Sequence, residues 1–249
     1  LNSDKDMPII GHLDELRKRL TIVSVAHLIV MLLAFSRSGK ILEKLMELNP
    51  KMHLIFVEPS EIMNVYIHIA LVLAIGICLP LTIYHLWAFV AKGLYDNEKK
   101  MVKIALGLGF GFFLVGVIFA YKVVVPISLQ FFTRIAIDQV APMISVKSYI
   151  SFILTLMLAM GVVFNIPSFA YIGTKLGILT PSFFTSYDKH LIILIFILAA
   201  IITPPDVISQ CLIGLPMVGL LKLSAFISTK TYKEKLREAD KELVDETKK

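Results

Sequence analysis

Apolar residues gather in long blocks along this chain, and short polar stretches separate them. The first block is TIVSVAHLIVMLLAF at 21–35, which extends back through Leu20. Further blocks fill 62–90, 104–125 and 149–173. A helix needs about 20 apolar residues to cross a hydrocarbon core of roughly 30 Å, and these blocks meet or approach that length. Two shorter blocks follow at 191–203 and 207–221, parted only by Pro204, Pro205 and Asp206. Adjacent prolines remove backbone donors and push the preceding residue out of helical geometry. The pattern therefore predicts a hairpin of two short helices. Each would cover roughly 20–23 Å and thin the bilayer around it.

The expected fold is an all-α integral membrane protein with six transmembrane helices forming a concave bundle. The spans fall at about 20–36, 62–90, 104–125, 149–173, 191–203 and 207–221. They make one membrane domain over 1–222, followed by a charged tail at 223–249. Between the first two spans, Ile41, Leu42, Leu45 and Met46 fall at helical spacing. Residues 124–137 also read as helical, with Pro126 near the start. Both segments are expected to cap the outer face.

Composition agrees with a membrane protein. Of 249 residues, 57% are hydrophobic and only 18% charged, and the mean hydropathy is +0.78. Soluble domains average about half apolar and a quarter charged. No cleavable signal peptide is expected, because a long hydrophilic stretch and further spans follow the first block. Cys78 and Cys211 lie inside apolar blocks and are expected to be packed free thiols. Lysine and arginine fix the orientation, since they concentrate in cytoplasmic segments. With both termini inside, the inner segments hold more than twice as many of these cations as the outer ones.

The spans contain no Asp or Glu. Proton-coupled carriers use an ionisable relay at depth, so this absence weighs against a small-solute transporter, which stays as the alternative. His27, His68 and His85 are read as interhelical hydrogen-bonding groups before they are read as ligands. The glycines of GLGFGFFLVG at 107–116 sit mid-span, where small residues let helices approach closely. No nucleophile with its base and no phosphate-cradling loop is present, so an enzyme is not expected, and neither is a cofactor, a metal site or a nucleic-acid partner.

Charge is concentrated before the first span, in HLDELRKRL at 12–20. Asp6 and Pro8 can start a helix there. The simplest account of Glu15 is an i,i+4 pair with Arg19, and of Asp14 the same pair with Lys18. In AKGLYDNEKK at 91–100, Glu98 is a carboxylate near the membrane among lysines.

HLDELRKRL, LPLTIYHLWAFV at 79–90 with LYDNEKK, FAYKVVVP at 119–126 and TPPDVISQ at 203–210 occur in that order. Together they resemble TatC, the polytopic receptor subunit of the twin-arginine protein translocase. The resemblance implies a protein of the prokaryotic cytoplasmic (inner) membrane that binds twin-arginine signal peptides of folded cargo. It implies a cytoplasmic signal-peptide site containing Glu15 and Glu98, shaped by Arg17 and Phe89. It also implies assembly with single-span TatA/TatB-type subunits, self-association, and energy from the proton gradient. The partner contact would use Thr203, Asp206 and Gln210 near the hairpin turn. Asn165 stands where many relatives carry a glutamate in the fourth span, and is a further expected partner contact. Lipid surrounds the whole.

Overall fold

A computed structural model describes residues 9–49, 54–90, 96–135, 143–202 and 207–246. Helix α1 runs Ile9–Phe35 and the short α2 Ser38–Met46. Strand β1, Leu54–Ile55, leads into α3, Glu61–Val90. Helix α4, Asp96–Phe119, passes through a π-helical turn, Ala120–Val124, into α5, Val125–Ile135. Strand β2, Ile144–Ser145, precedes α6, Val146–Val163, and α7, Ile166–Lys175. The rest is α8, Pro181–Ser186; α9, Asp188–Ile202; and α10, Val207–Glu246.

Among the described residues, five helical stretches are long and apolar enough to cross a membrane: Leu13–Phe35, Glu61–His85, Gly107–Thr133, Val146–Lys175 and Ser209–Arg237. Helix α9 is apolar but has only 15 residues, about 22 Å. Helix α1 is continuous from the charged HLDELRKRL segment into the apolar block. The expected start of that segment at Asp6 and Pro8 lies outside the described residues.

Three departures from straight helices have local causes. Pro126 has no N–H and its ring crowds the preceding turn. The chain answers with the π turn just before it, where the N–H of Val125 reaches back to the carbonyl of Ala120. Pro167 sits in the first turn of α7. There the 149–173 block is interrupted: Asn165 donates its N–H to Val162 O at 3.0 Å, a tightened turn, and α7 starts afresh. Pro80 lies inside α3, and two residues on Thr82 gives its hydroxyl to Cys78 O at 3.0 Å.

Helices α3 and α4 pack on α6, and α10 packs on α7 and α9; the buried core includes Ile69 on α3, Ile150, Ile153 and Leu156 on α6, and Ile213 and Met217 on α10. Gly116 and Gly161 let α4 and α6 touch closely. A Cβ on Gly116 would stand 2.5 Å from Met160 O, and one on Gly161 2.6 Å from the Phe113 ring. A Cβ on Gly107 or Gly111 would meet nothing within 4 Å, so the packing role expected of this glycine run belongs to only some of its members. The expected outer cap at 40–48 forms as α2, with Leu42 and Leu45 buried. Tyr149 donates its hydroxyl to Leu45 O at 3.1 Å, tying α2 to α6.

Helices α9 and α10 form the expected antiparallel hairpin. Asp188 pairs with Lys222 at 2.6 Å near one end, and Gln210 donates to Phe196 O at 2.9 Å near the other. Helix α10 does not stop at Leu221, however; it runs unbroken to Glu246. Past Lys222 it packs on α7 through buried Ser224, Ser228 and Thr231, with Ser228 Oγ 2.8 Å from Thr174 Oγ1. The first part of the charged tail, through Thr231, thus continues α10 and packs on α7. Ending the chain at Lys222 is expected to lower the yield of monodisperse protein sharply, whereas ending it at Arg237 leaves it unchanged. Size-exclusion profiles of the two truncations check this.

Candidate functional site

The antiparallel pairing of α1 with α3 decides what can meet what. At one end, the Phe35 and Tyr66 rings stand 6.2 Å apart, edge to face, and Ser38 Oγ donates to Tyr66 O at 3.2 Å. Glu15 lies 20 residues back along α1 and Phe89 lies 23 residues on along α3, about 30 and 35 Å at helical rise. The two therefore share the opposite end. Glu98 is in the first turn of α4, which begins six residues after α3 ends, so it comes to that end as well. The Glu98 side chain lies outside the described ones, as do residues 91–95 in the loop.

Helix α1 presents its charges there in a defined order. Arg19 grips Glu15 Oε1 with Nε at 2.9 Å and Nη2 at 2.6 Å. Both side chains are largely sheltered from solvent, at 21% and 15% exposure. The i,i+4 pair read from the spacing is thus present. Arg17, two residues on and on the other side of α1, is exposed, and its carbonyl accepts the Thr21 hydroxyl at 2.8 Å. Asp14, Arg17, Lys18, Thr21 and Ile22 line a depression of about 460 Å³. Phe89 is half-buried. The end thus offers a carboxylate held by an arginine, further cations and a shallow recess.

Thr203 and Asp206 lie outside the described residues. Gln210 spends one amide hydrogen on the α9 backbone, as above. Asn165 is only 5% exposed. It donates from Nδ2 to Gly161 O at 2.9 Å, and a Cβ on Gly109 would stand 3.1 Å from its Oδ1. Asn165 fills the break between α6 and α7 against α4. The expectation that it meets a partner does not fit this burial.

Sequence reasoning passed over Glu61, which is 2% exposed. Its Oε2 accepts the N–H of Val57 at 2.8 Å and of Glu58 at 3.4 Å. Its Oε1 accepts the N–H of Lys147 at 2.7 Å, across 86 residues of sequence. One carboxylate thereby ties the start of α3 to the start of α6. The local half was readable, because a Glu in a helix's first turn commonly caps a preceding turn. The link to Lys147 had no sequence signal. His68 likewise finds a partner in Ser151 Oγ at 3.2 Å. Among the described residues, no three His, Cys, Asp or Glu side chains come together as a metal site would require.

The profile of the family described as "Sec-independent protein translocase protein (TatC)" matches residues 11–216. The chain belongs to the TatC family. Among similar proteins, the Sec-independent protein translocase protein TatC of Helicobacter pylori (strain ATCC 700392 / 26695) is 42% identical over 217 residues, covering 87% of this chain and 85% of that one. The TatC of Aquifex aeolicus (strain VF5) is 36% identical over 228 residues, covering 89% and 94%. A structure described as "Crystal Structure of Twin Arginine Translocase Receptor- TatC" superposes with a TM-score of 0.77 at 34% identity, covering 88% of this chain and 99% of that one. This chain is therefore a membrane component of a Sec-independent protein translocase, in a family that transports proteins and is not one of catalytic enzymes. Membership displaces the small-solute transporter.

Proposed function

We propose that this chain is the signal-peptide receptor of a twin-arginine export system in a prokaryotic inner membrane. It crosses that membrane six times, with α9 as the short fifth span and both termini in the cytoplasm. The paired arginines of a folded cargo's signal peptide engage Glu15 and Glu98, with Arg17 and Phe89 shaping the surroundings. Single-span TatA/TatB-type subunits dock at the α9–α10 hairpin near Thr203, Asp206 and Gln210, and copies of the chain associate with one another.

The observation that carries this reading is the gathering of Glu15, Phe89 and the first turn of α4 at one end. Guanidinium chemistry supports it further. Arginine is planar, always charged and donates in a fork that matches a carboxylate, whereas lysine offers a compact point charge. Glu15 already holds one guanidinium, that of Arg19. An arginine from a peptide presents the same fork and competes for the same oxygens.

A labelled twin-arginine signal peptide and its twin-lysine version, titrated against the full chain in nanodiscs, test the proposal. Binding of the twin-arginine form about tenfold tighter or more is expected, the scale of one charge-assisted contact. Equal affinity for the two peptides would overturn it.

A further inference from the structure

The end of the bundle opposite Glu15 carries a feature that the receptor reading does not use. Strands β1 and β2 pair in parallel, Leu54 beside Ile144 and Ile55 beside Ser145. Each strand leads almost directly into a membrane-crossing helix, β1 into α3 and β2 into α6. The two-stranded ribbon therefore stands within about a turn of helix from where both helices enter the hydrocarbon.

Its polar and apolar groups are arranged against expectation for an aqueous loop. The carboxylate of Glu61 is buried inward, holding the backbone of Val57, Glu58 and Lys147. The large apolar side chains point out: Phe56 is 57% exposed, Val57 68% and Met143 80%. Below them on α3, Met63, Ile67 and Leu71 are exposed at i, i+4 and i+8, one line down a helix face. That line lies on a span and faces lipid. Phe56 and Val57 lie beyond that line, with exposed Glu58, Pro59 and Ser60 between the two. Beside them Lys147 is exposed at the first turn of α6. A lysine at that depth reaches a lipid phosphate while its stem stays among acyl chains.

We infer that Phe56, Val57 and Met143 insert into the headgroup–hydrocarbon boundary of the leaflet at this end, making the β1–β2 ribbon a lipid-seated wedge held in place by Glu61. The occupant of this surface is the bilayer itself. The wedge fixes the depth of α3 and α6 together, because the Glu61 carboxylate joins their starts. The inference stands on the membrane-crossing helices alone and does not depend on signal-peptide recognition.

The test uses the full chain in nanodiscs with Cys78 and Cys211 replaced by alanine. Val57→Cys and Met143→Cys each carry a nitroxide, and collision with oxygen, which favours lipid, is compared with collision with a water-soluble nickel chelate. Both sites are expected to show oxygen accessibility several-fold above that for the chelate. Adding Glu61→Gln is expected to raise chelate accessibility at Val57→Cys several-fold. Chelate-dominated collision at both sites would overturn the wedge by placing the ribbon in water. Low accessibility to both reagents would also overturn it, because a second copy or another protein would then cover the surface. An unchanged Val57→Cys signal on Glu61→Gln would remove Glu61 from the proposal. The two labelling sites are independent, so the test survives the failure of one variant to fold.

Discussion

Gly116→Ala is expected to destabilise the bundle by about 1–3 kcal/mol, the usual cost of overpacking. The new methyl would lie 2.5 Å from Met160 O, and 2.8 and 2.9 Å from Phe164 Cβ and Cγ. A backbone carbonyl inside a helix cannot swing aside, so α4 and α6 must separate. Gly161→Ala makes a useful contrast. Its nearest atoms belong to the Phe113 ring, at 2.6 and 2.8 Å, and to Val117 Cγ2 at 2.9 Å. A ring can be shortened, so Phe113→Leu is expected to recover part of the Gly161→Ala loss and none of the Gly116→Ala loss. Gly107→Ala, with open space around its position, is expected to be neutral. Thermal unfolding of these single and double variants beside the parent, in one detergent, checks the series. A neutral Gly116→Ala would mean that the helices do not cross this closely.

The second large effect concerns recognition. Glu15→Gln and Glu98→Gln are each expected to weaken twin-arginine peptide binding roughly 10–100-fold, because hydrogen bonds to charged groups contribute about 1.5–3 kcal/mol. Both substitutions preserve shape and remove charge, so the preference for arginine over lysine is expected to fall with the affinity. Arg19→Gln is the diagnostic companion. Arg19 occupies Glu15 Oε1 through two nitrogens, and a peptide guanidinium must share or displace it. Removing that competitor is expected to tighten binding several-fold. Weaker binding instead would show that Arg19 positions the Glu15 carboxylate for the peptide. The same titration, run on the three variants, measures all of this.

Much of the architecture was legible because membrane insertion leaves a blunt signature. Blocks of apolar residues located α1, α3, α4, α6 and the α9–α10 hairpin, and Pro204 and Pro205 marked the turn between the last two. The i,i+4 spacing of Glu15 and Arg19 predicted their pair, because neighbours on one helix face need only local geometry. What escaped was set by residues distant in sequence. Lys222 reads as the end of a span until Asp188, 34 positions earlier, is seen to pair with it. Ser224 and Ser228 lie beyond the last apolar block, and their burial depends on α7. Glu61 fell one position outside the second apolar block, and its bond to Lys147 needed the meeting of β1 and β2. At the candidate site, the gathering of Glu15, Phe89 and the first turn of α4 follows from the antiparallel hairpin of α1 and α3, which the alternating spans already implied. The burial of Asn165 did not follow from them, because it depends on how closely α4 approaches the break at Pro167.

The unbroken length of α10 has a mechanical consequence. Forty residues of helix, with Pro216 inside them, span about 60 Å. One end starts at the hairpin turn and the other passes the α7 terminus, where Lys235 Nζ lies 3.1 Å from the place a Cβ on Gly177 would occupy. Rods transmit rotation as displacement. A tilt of about 5° at the hairpin would carry Ser228, roughly 32 Å along the helix, through about 3 Å, enough to break its hydrogen bond to Thr174. Helix α10 therefore couples its hairpin with α9 to its contact with α7.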